Sequence, residues 1–147
     1  MECGDEEPRT VVAGLGGKIP FEDLIGKKVA CVTNLKPAKM RGIESTAMLL
    51  AASDGNEGDN EKVELLSIPE SVPNGELLSF EGKGESEPDA MMKSKGAIKA
   101  FERAKQCLRL NNDGEAIYLD ADSKTEHRMI TSDGTVKAAS LKSVTVG

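Results

Sequence analysis

Asn34, Lys36, Lys39, Arg41 and Ser45 lie within the short stretch NLKPAKMRGIES, residues 34–45. Cations spaced this closely can hold a phosphate backbone. Each Lys or Arg set against a phosphate releases counterions, which gives affinity without reading sequence. Arg41 can bind a phosphate or a base edge bidentately, whereas Lys36 and Lys39 act as point charges. Asn34 can read a base edge or fix the loop, the Ser45 hydroxyl can bond a phosphate oxygen, and Pro37 stiffens the chain between them. The whole chain has a formal net charge of −6. From Leu24 to Ile43, however, the charged residues are Lys27, Lys28, Lys36, Lys39 and Arg41, a local +5 that leaves −11 for the rest. A basic island in an acidic chain points to a locally anionic partner. Charge alone leaves a solvated basic loop equally open. The aromatic residues are Phe21, Phe80, Phe101 and Tyr118, with no Trp. That scarcity weakens base stacking and favours recognition of phosphate and shape, which suits folded RNA.

Other chemistry lacks its residues. GLGGK, residues 14–18, departs from a phosphate-binding P-loop at Val12, where the first Gly belongs, and at Ile19, where Ser or Thr belongs. DGNEGDNE, residues 54–61, places Gly58 at the third oxygen ligand of an EF-hand loop. DADSKTE, residues 120–126, places Lys124 there. Both read as solvated turns. Cys3, Cys31 and Cys107 are odd in number and far apart, which argues against a disulfide framework and a structural zinc site. His127, the only histidine, sits among charged residues and reads as a surface side chain. No catalytic constellation, metal site or cofactor motif emerges.

The elements that must position the basic stretch are mostly short strands. Arg9–Leu15, Lys27–Thr33, Ser45–Ser53, KVELLSI and LLSF are β-like and separated by turn residues, with the basic stretch as an irregular loop between two of them. Such a series suggests an all-β barrel or sandwich. IPFEDLIG allows one helical turn between Pro20 and Gly26. From Glu81 to about Met91 the composition shifts to that of a linker. KSKGAIKAFERAKQCLRL then predicts a helix whose apolar stripe is Ala97, Ala100, Phe101, Ala104 and Leu108. EAIYLD, HRMIT and TVKAASLKSVTVG read as closing strands, with TSDGT as a hairpin turn. No apolar run approaches the ~20 residues of a membrane span. The acidic N-terminus is neither a signal nor a transit peptide, and a cytoplasmic protein is expected.

NLKPAKMRGIESTAMLLAAS, residues 34–53, closely resembles the signature of a tRNA-binding domain family. Its members include endothelial monocyte-activating polypeptide II and its precursor, and the yeast cofactor of methionyl- and glutamyl-tRNA synthetases. C-terminal extensions of some methionyl- and tyrosyl-tRNA synthetases and small bacterial tRNA-binding proteins also belong to it. GDEEPRTVVAGL and IPESVPNGELLSFEG resemble the flanking barrel strands, and the sequence after Glu87 looks like the eukaryotic appendage. The resemblance implies a mainly β fold: an oligonucleotide-binding (OB) barrel over residues 1–82, a linker over 83–91, and a small α+β subdomain over 92–147 that imitates a dimer partner. It implies tRNA binding for an aminoacyl-tRNA synthetase, methionyl or other, with no chemistry of its own. Carried over by motif, Asn34, Lys36, Lys39, Arg41 and Ser45 contact RNA, while Met40 and Met48 pack. The alternative is a docking or cytokine-like module of a synthetase complex, using the apolar helix face at Phe101.

Four departures stand out. Ala13 replaces the family's usual Ser. The acidic stretch 54–61 is longer than is typical. Phe101 stands in the position of a Trp, and the lysine run before it is diluted. Met1 falls inside what should be the second barrel strand, so the first strand is absent and a barrel edge is expected to be open. A longer parent chain is the preferred explanation. Strand supply by a partner or by self-association through that edge, and a weakly stable short form, are the others.

Overall fold

The structure, a computed structural model, describes residues 1–15, 18–56, 61–83 and 91–147. Parts of three expected features therefore lie outside the described residues: Gly16 and Gly17 of the glycine turn, 57–60 of the acidic stretch and 84–90 of the linker.

The fold is mainly β. The order is α1 (Phe21–Leu24), β1 (Cys31–Val32), β2 (Ala38–Met40), β3 (Ile43–Ser45), β4 (Met48–Leu49), β5 (Ala51–Ser53), β6 (Val63–Leu65) and β7 (Ser79–Phe80). Then come α2 (Lys95–Gln106), β8 (Leu108–Leu110), β9 (Ala116–Leu119), β10 (Glu126–Thr131), β11 (Gly134–Thr135) and β12 (Thr145–Val146). One curled antiparallel sheet runs β11-β10-β9-β8-β12-β5-β6, with β7 also paired to β10. Its centre joins the two halves of the chain. Val146 of β12 lies opposite Ala52 of β5, and Thr145 lies opposite Arg109 of β8. Among the described residues β6 ends the sheet with β5 as its one neighbour. Two smaller ladders, β1–β4 and β2–β3, stand apart from it.

The core explains the weave. Ala30, Leu50, Ala52 and Leu66 from the first half pack with Leu110, Ala116, Met129, Val136 and Val146 from the second. Small and β-branched side chains let facing strands approach, which compensates for the lack of large aromatics. Phe80 and Tyr118 meet at 5.8 Å between ring centroids, at the edge of this cluster.

α2 begins at Ser94, whose side chain accepts a hydrogen bond from the Ala97 amide at 3.1 Å. Arg103 and Lys105 sit in its last turn, where cations complement the helix dipole. The helix is shorter than expected. It stops at Gln106, so Leu108 belongs to β8, and Ala100 is exposed. Among the described residues, the expected strand at Arg9–Leu15 also joins no ladder. Its backbone meets Ser45 and Thr46 instead, partly through a side-chain oxygen, and a ladder needs a continuous backbone partner. The expected hairpin at TSDGT is present, with Thr131 opposite Gly134.

Candidate nucleic-acid interface

The stretch expected to be an irregular loop is a β-hairpin. Ala38 pairs with Ser45, Lys39 with Glu44 and Met40 with Ile43. Its turn is Arg41-Gly42, with φ of 52° and 81°. Positive φ at both central residues is the type I′ requirement, which matches the strand twist. Gly42 adopts it freely; Arg41 is an unusual choice there, because a Cβ is disfavoured in the left-handed region.

The hairpin presents two faces. Lys39 and Glu44 share one; Ala38, Met40, Ile43 and Ser45 share the other. At the feet this second face covers an apolar groove of about 450 Å³, lined among others by Val12, Leu15, Leu35, Ala47, Met48 and Val63. Lys36, Lys39 and Arg41 are exposed, and among the described residues none of them makes an ion pair. Their charge is therefore available to a ligand. Lys28 of the basic island differs. The Lys28 ammonium donates to the Val72 carbonyl at 2.6 Å and holds a loop.

Asn34 and Ser45 sit at the two feet. Asn34 is half-buried, and its carbonyl accepts the Met92 amide at 2.7 Å. Ser45 is 6% exposed. Its hydroxyl accepts from the Val12 amide at 3.0 Å and donates to the Ala47 carbonyl at 3.1 Å. Lys36, Lys39 and Arg41 are thus all exposed along the hairpin, with Lys36 beside the groove and Lys39 on the opposite face, while Ser45 is buried at the foot. Met48 is half-buried as expected of a packing residue, but Met40 is 46% exposed.

Arg9 does work at these feet that sequence reasoning missed. Its Nη1 donates to the Thr33 carbonyl at 2.6 Å and to the Thr46 carbonyl at 3.0 Å, spanning the residues just outside the hairpin. Nε donates to Asp5 at 2.5 Å. The Thr46 amide donates to the Thr10 carbonyl at 3.1 Å, and the Met1 amine and the Arg9 amide close the loop with reciprocal backbone bonds. The Arg9 guanidinium holds the Asp5 carboxyl below the usual range, and Asp5 raises Arg9 in return. Both groups stay charged, which keeps the clamp in place near neutral pH. Cys31, beside this clamp, has its thiol pushed up to about 11 by burial and by the neighbouring Cys3 thiol. That leaves it protonated and unreactive.

The diluted lysine run comes close to the hairpin. Leu35 bridges to Met92, so the approach to α2 runs beside the hairpin foot with Lys93 exposed there. Sequence separation hid that placement.

A barrel-like β sheet, a groove and a cation-bearing hairpin define an OB-like module with a basic hairpin. The family described as "Putative tRNA binding domain" matches residues 1–77, and this chain belongs to it. It is 42% identical over 143 residues to the probable methionine–tRNA ligase of Oryza sativa subsp. japonica, covering 97% of this chain and 16% of the relative. It is 37% identical over 147 residues to the cytoplasmic tyrosine–tRNA ligase of Xenopus laevis, covering 100% of this chain and 26% of that protein. To the tRNA-aminoacylation cofactor arc1 of Schizosaccharomyces pombe it is 42% identical over 99 residues, 67% of this chain and 21% of the cofactor. The crystal structure of the C-terminal domain of Plasmodium vivax p43 superposes with a TM-score of 0.83 at 29% identity, over 99% of this chain and 81% of that one. The chain thus spans between 16% and 26% of these curated relatives. Among the described residues no helix is long and apolar enough to cross a membrane.

Proposed function

We propose that this chain binds tRNA for an aminoacyl-tRNA synthetase, in the cytoplasm and without catalysing a reaction. The observation that carries the reading is the set of exposed cations Lys36, Lys39 and Arg41 on one hairpin of a net-acidic chain of this family. They contact the phosphate backbone, and Asn34 contributes from the adjoining foot. Ser45 serves the interface by fixing the backbone, since its hydroxyl is already engaged beneath the surface. Such a module raises the tRNA concentration near an enzyme to which it is tethered. Residues 92–147 act as a brace for the binding half, and the outer edge of β6 is where a second copy would add.

Docking through Phe101 has less support. That side chain is half-buried, and α2 packs on β8 and β12.

The test is a tRNA titration across a salt series, comparing the chain with Lys36→Glu/Lys39→Glu/Arg41→Glu, both checked for folding by circular dichroism. Binding falls as salt rises, and the variant loses it. Losing three phosphate contacts lowers the log–log salt slope by about 2–3. Equal binding by the folded variant would refute the reading.

A further inference from the structure

Met40 is 46% exposed and Ile43 is 52% exposed, and they are cross-strand partners flanking the Arg41-Gly42 turn. On the same face Ser45 is buried and Met40 borders the groove, yet Met40 and Ile43 keep about half of their surface open to solvent. A solvent-facing hairpin tip ordinarily carries polar residues. This one carries two apolar side chains, with Met40 between Lys39 and Arg41 and Ile43 between Gly42 and Glu44, and Arg41 holds a backbone conformation that few residues adopt at no cost. A phosphate-only surface uses neither the apolar pair nor the strained turn.

The occupant of this tip must be anionic beside the cations and apolar against Met40 and Ile43. An RNA nucleotide with its base out of the stack meets both demands. A continuous A-form duplex does not, because its base faces are hidden inside the stack. We propose that the hairpin tip is a wedge: Met40 and Ile43 pack on an unstacked nucleobase while Lys39 and Arg41 hold the adjoining phosphates. Aliphatic wedges of Met and Ile against base steps are a known physical device, and the polarisable Met sulfur favours an aromatic face. The partner is thereby narrowed from folded RNA in general to RNA with a bulged, looped or terminal unpaired nucleotide. This rests on the tRNA-binding reading and adds a salt-independent component to it.

The experiment uses two RNAs: a fully paired stem, and the same stem with one bulged 2-aminopurine. The wild-type chain is expected to bind the bulged stem more tightly and to change the fluorescence of the bulged base. Met40→Ser/Ile43→Thr, checked for folding by circular dichroism, should lose that preference and the fluorescence change. Its affinity for the bulged stem should drop about tenfold, as burial of two apolar side chains implies. Its affinity for the paired stem and its salt slope should not change. Met40→Leu should keep the preference, because it preserves apolar volume. No preference in the wild type, a preference retained by the double variant, or equal losses on both stems would overturn the wedge. So would a variant that keeps its RNA binding and loses only retention of a synthetase. The cation variant separates the two readings. If it loses RNA while Met40→Ser/Ile43→Thr keeps the preference, the wedge alone fails. If it binds like the wild type, the tRNA-binding reading fails as well.

Discussion

The β2–β3 hairpin and the β8–β9–β10 sheet are built on opposite plans. Among the described residues the hairpin pairs only with itself, and every residue from Lys36 to Glu44 is exposed. Strands β8, β9 and β10 each have neighbours on both sides, and Leu110, Ala116, Ile117 and Met129 bury their side chains. Among the described residues, the hydrogen bonds that anchor the hairpin lie at its feet, through Arg9, Ser45 and the Met92 contact. A binding element needs precise roots and an uncovered tip; a brace needs a filled core. These two tasks fall to regions in separate sheets, the β2–β3 ladder and the large antiparallel sheet.

The largest expected effect tests the brace. Leu66 is fully buried in the cluster that joins both halves. Leu66→Ala should cost about 2–5 kcal/mol through lost burial and a residual cavity, read by denaturant melts. In buffer where the variant remains folded, its tRNA affinity and salt slope should match the wild type. A changed slope would mean that the two regions are not separable.

Next comes the clamp. Arg9→Gln keeps a hydrogen-bonding group but cannot span the Thr33 and Thr46 carbonyls and pair with Asp5 together. Stability should fall by about 2 kcal/mol, the scale of a lost charged hydrogen bond. Affinity for tRNA should fall by about tenfold, equivalent to ~1.4 kcal/mol. The salt slope should stay unchanged, because Arg9 is spent on carbonyls and a carboxylate. A slope reduced by about one would show that Arg9 contacts phosphate directly.

This contrast also governs what the sequence reveals. The mainly β class, a helix within residues 93–110 and the cations of the basic stretch were legible, since local chemistry sets them. The hairpin was not. Its strands are three residues long, too short for alternation to declare itself, and its turn is Arg-Gly rather than the favoured Asn-Gly. Arg9 was invisible for another reason. A guanidinium in an acidic N-terminus reads as a surface charge until the fold brings Thr33 and Thr46 to it. The same holds for Glu64. From sequence it is one acid among many. In the fold its carboxylate accepts from the Ser140 amide at 3.1 Å, the Ser140 hydroxyl at 2.8 Å and the Leu141 amide at 2.5 Å.

Glu64 gives the brace a pH signature. Burial pushes its carboxyl up, but the Leu141 and Ser140 hydrogen bonds outweigh that and hold it below the usual value. Its contribution is therefore fully present above the unfolded value of about 4.3, and it is lost as pH falls through the lower folded value. Thermal melts from pH 6 to pH 3 should show a steeper loss in the wild type than in Glu64→Gln. Parallel curves would remove Glu64 from the brace.

The smallest effect is at the hairpin tip, where stability and binding should part. Arg41→Gly relieves a left-handed residue that carries a Cβ, a strain of about 1 kcal/mol. It also gives the unfolded chain more freedom, which offsets much of that gain. Net stability should therefore shift by less than about 1 kcal/mol. Binding should weaken nonetheless, with the salt slope falling by about 0.7–0.9 for one lost phosphate. Arg41→Lys separates charge from shape: it restores the slope but not the bidentate grip, so affinity should recover only in part. If Arg41→Gly bound tRNA as tightly as the wild type, the strained arginine would have no role in binding. The open tip would then owe its function to Lys36, Lys39 and the apolar pair alone.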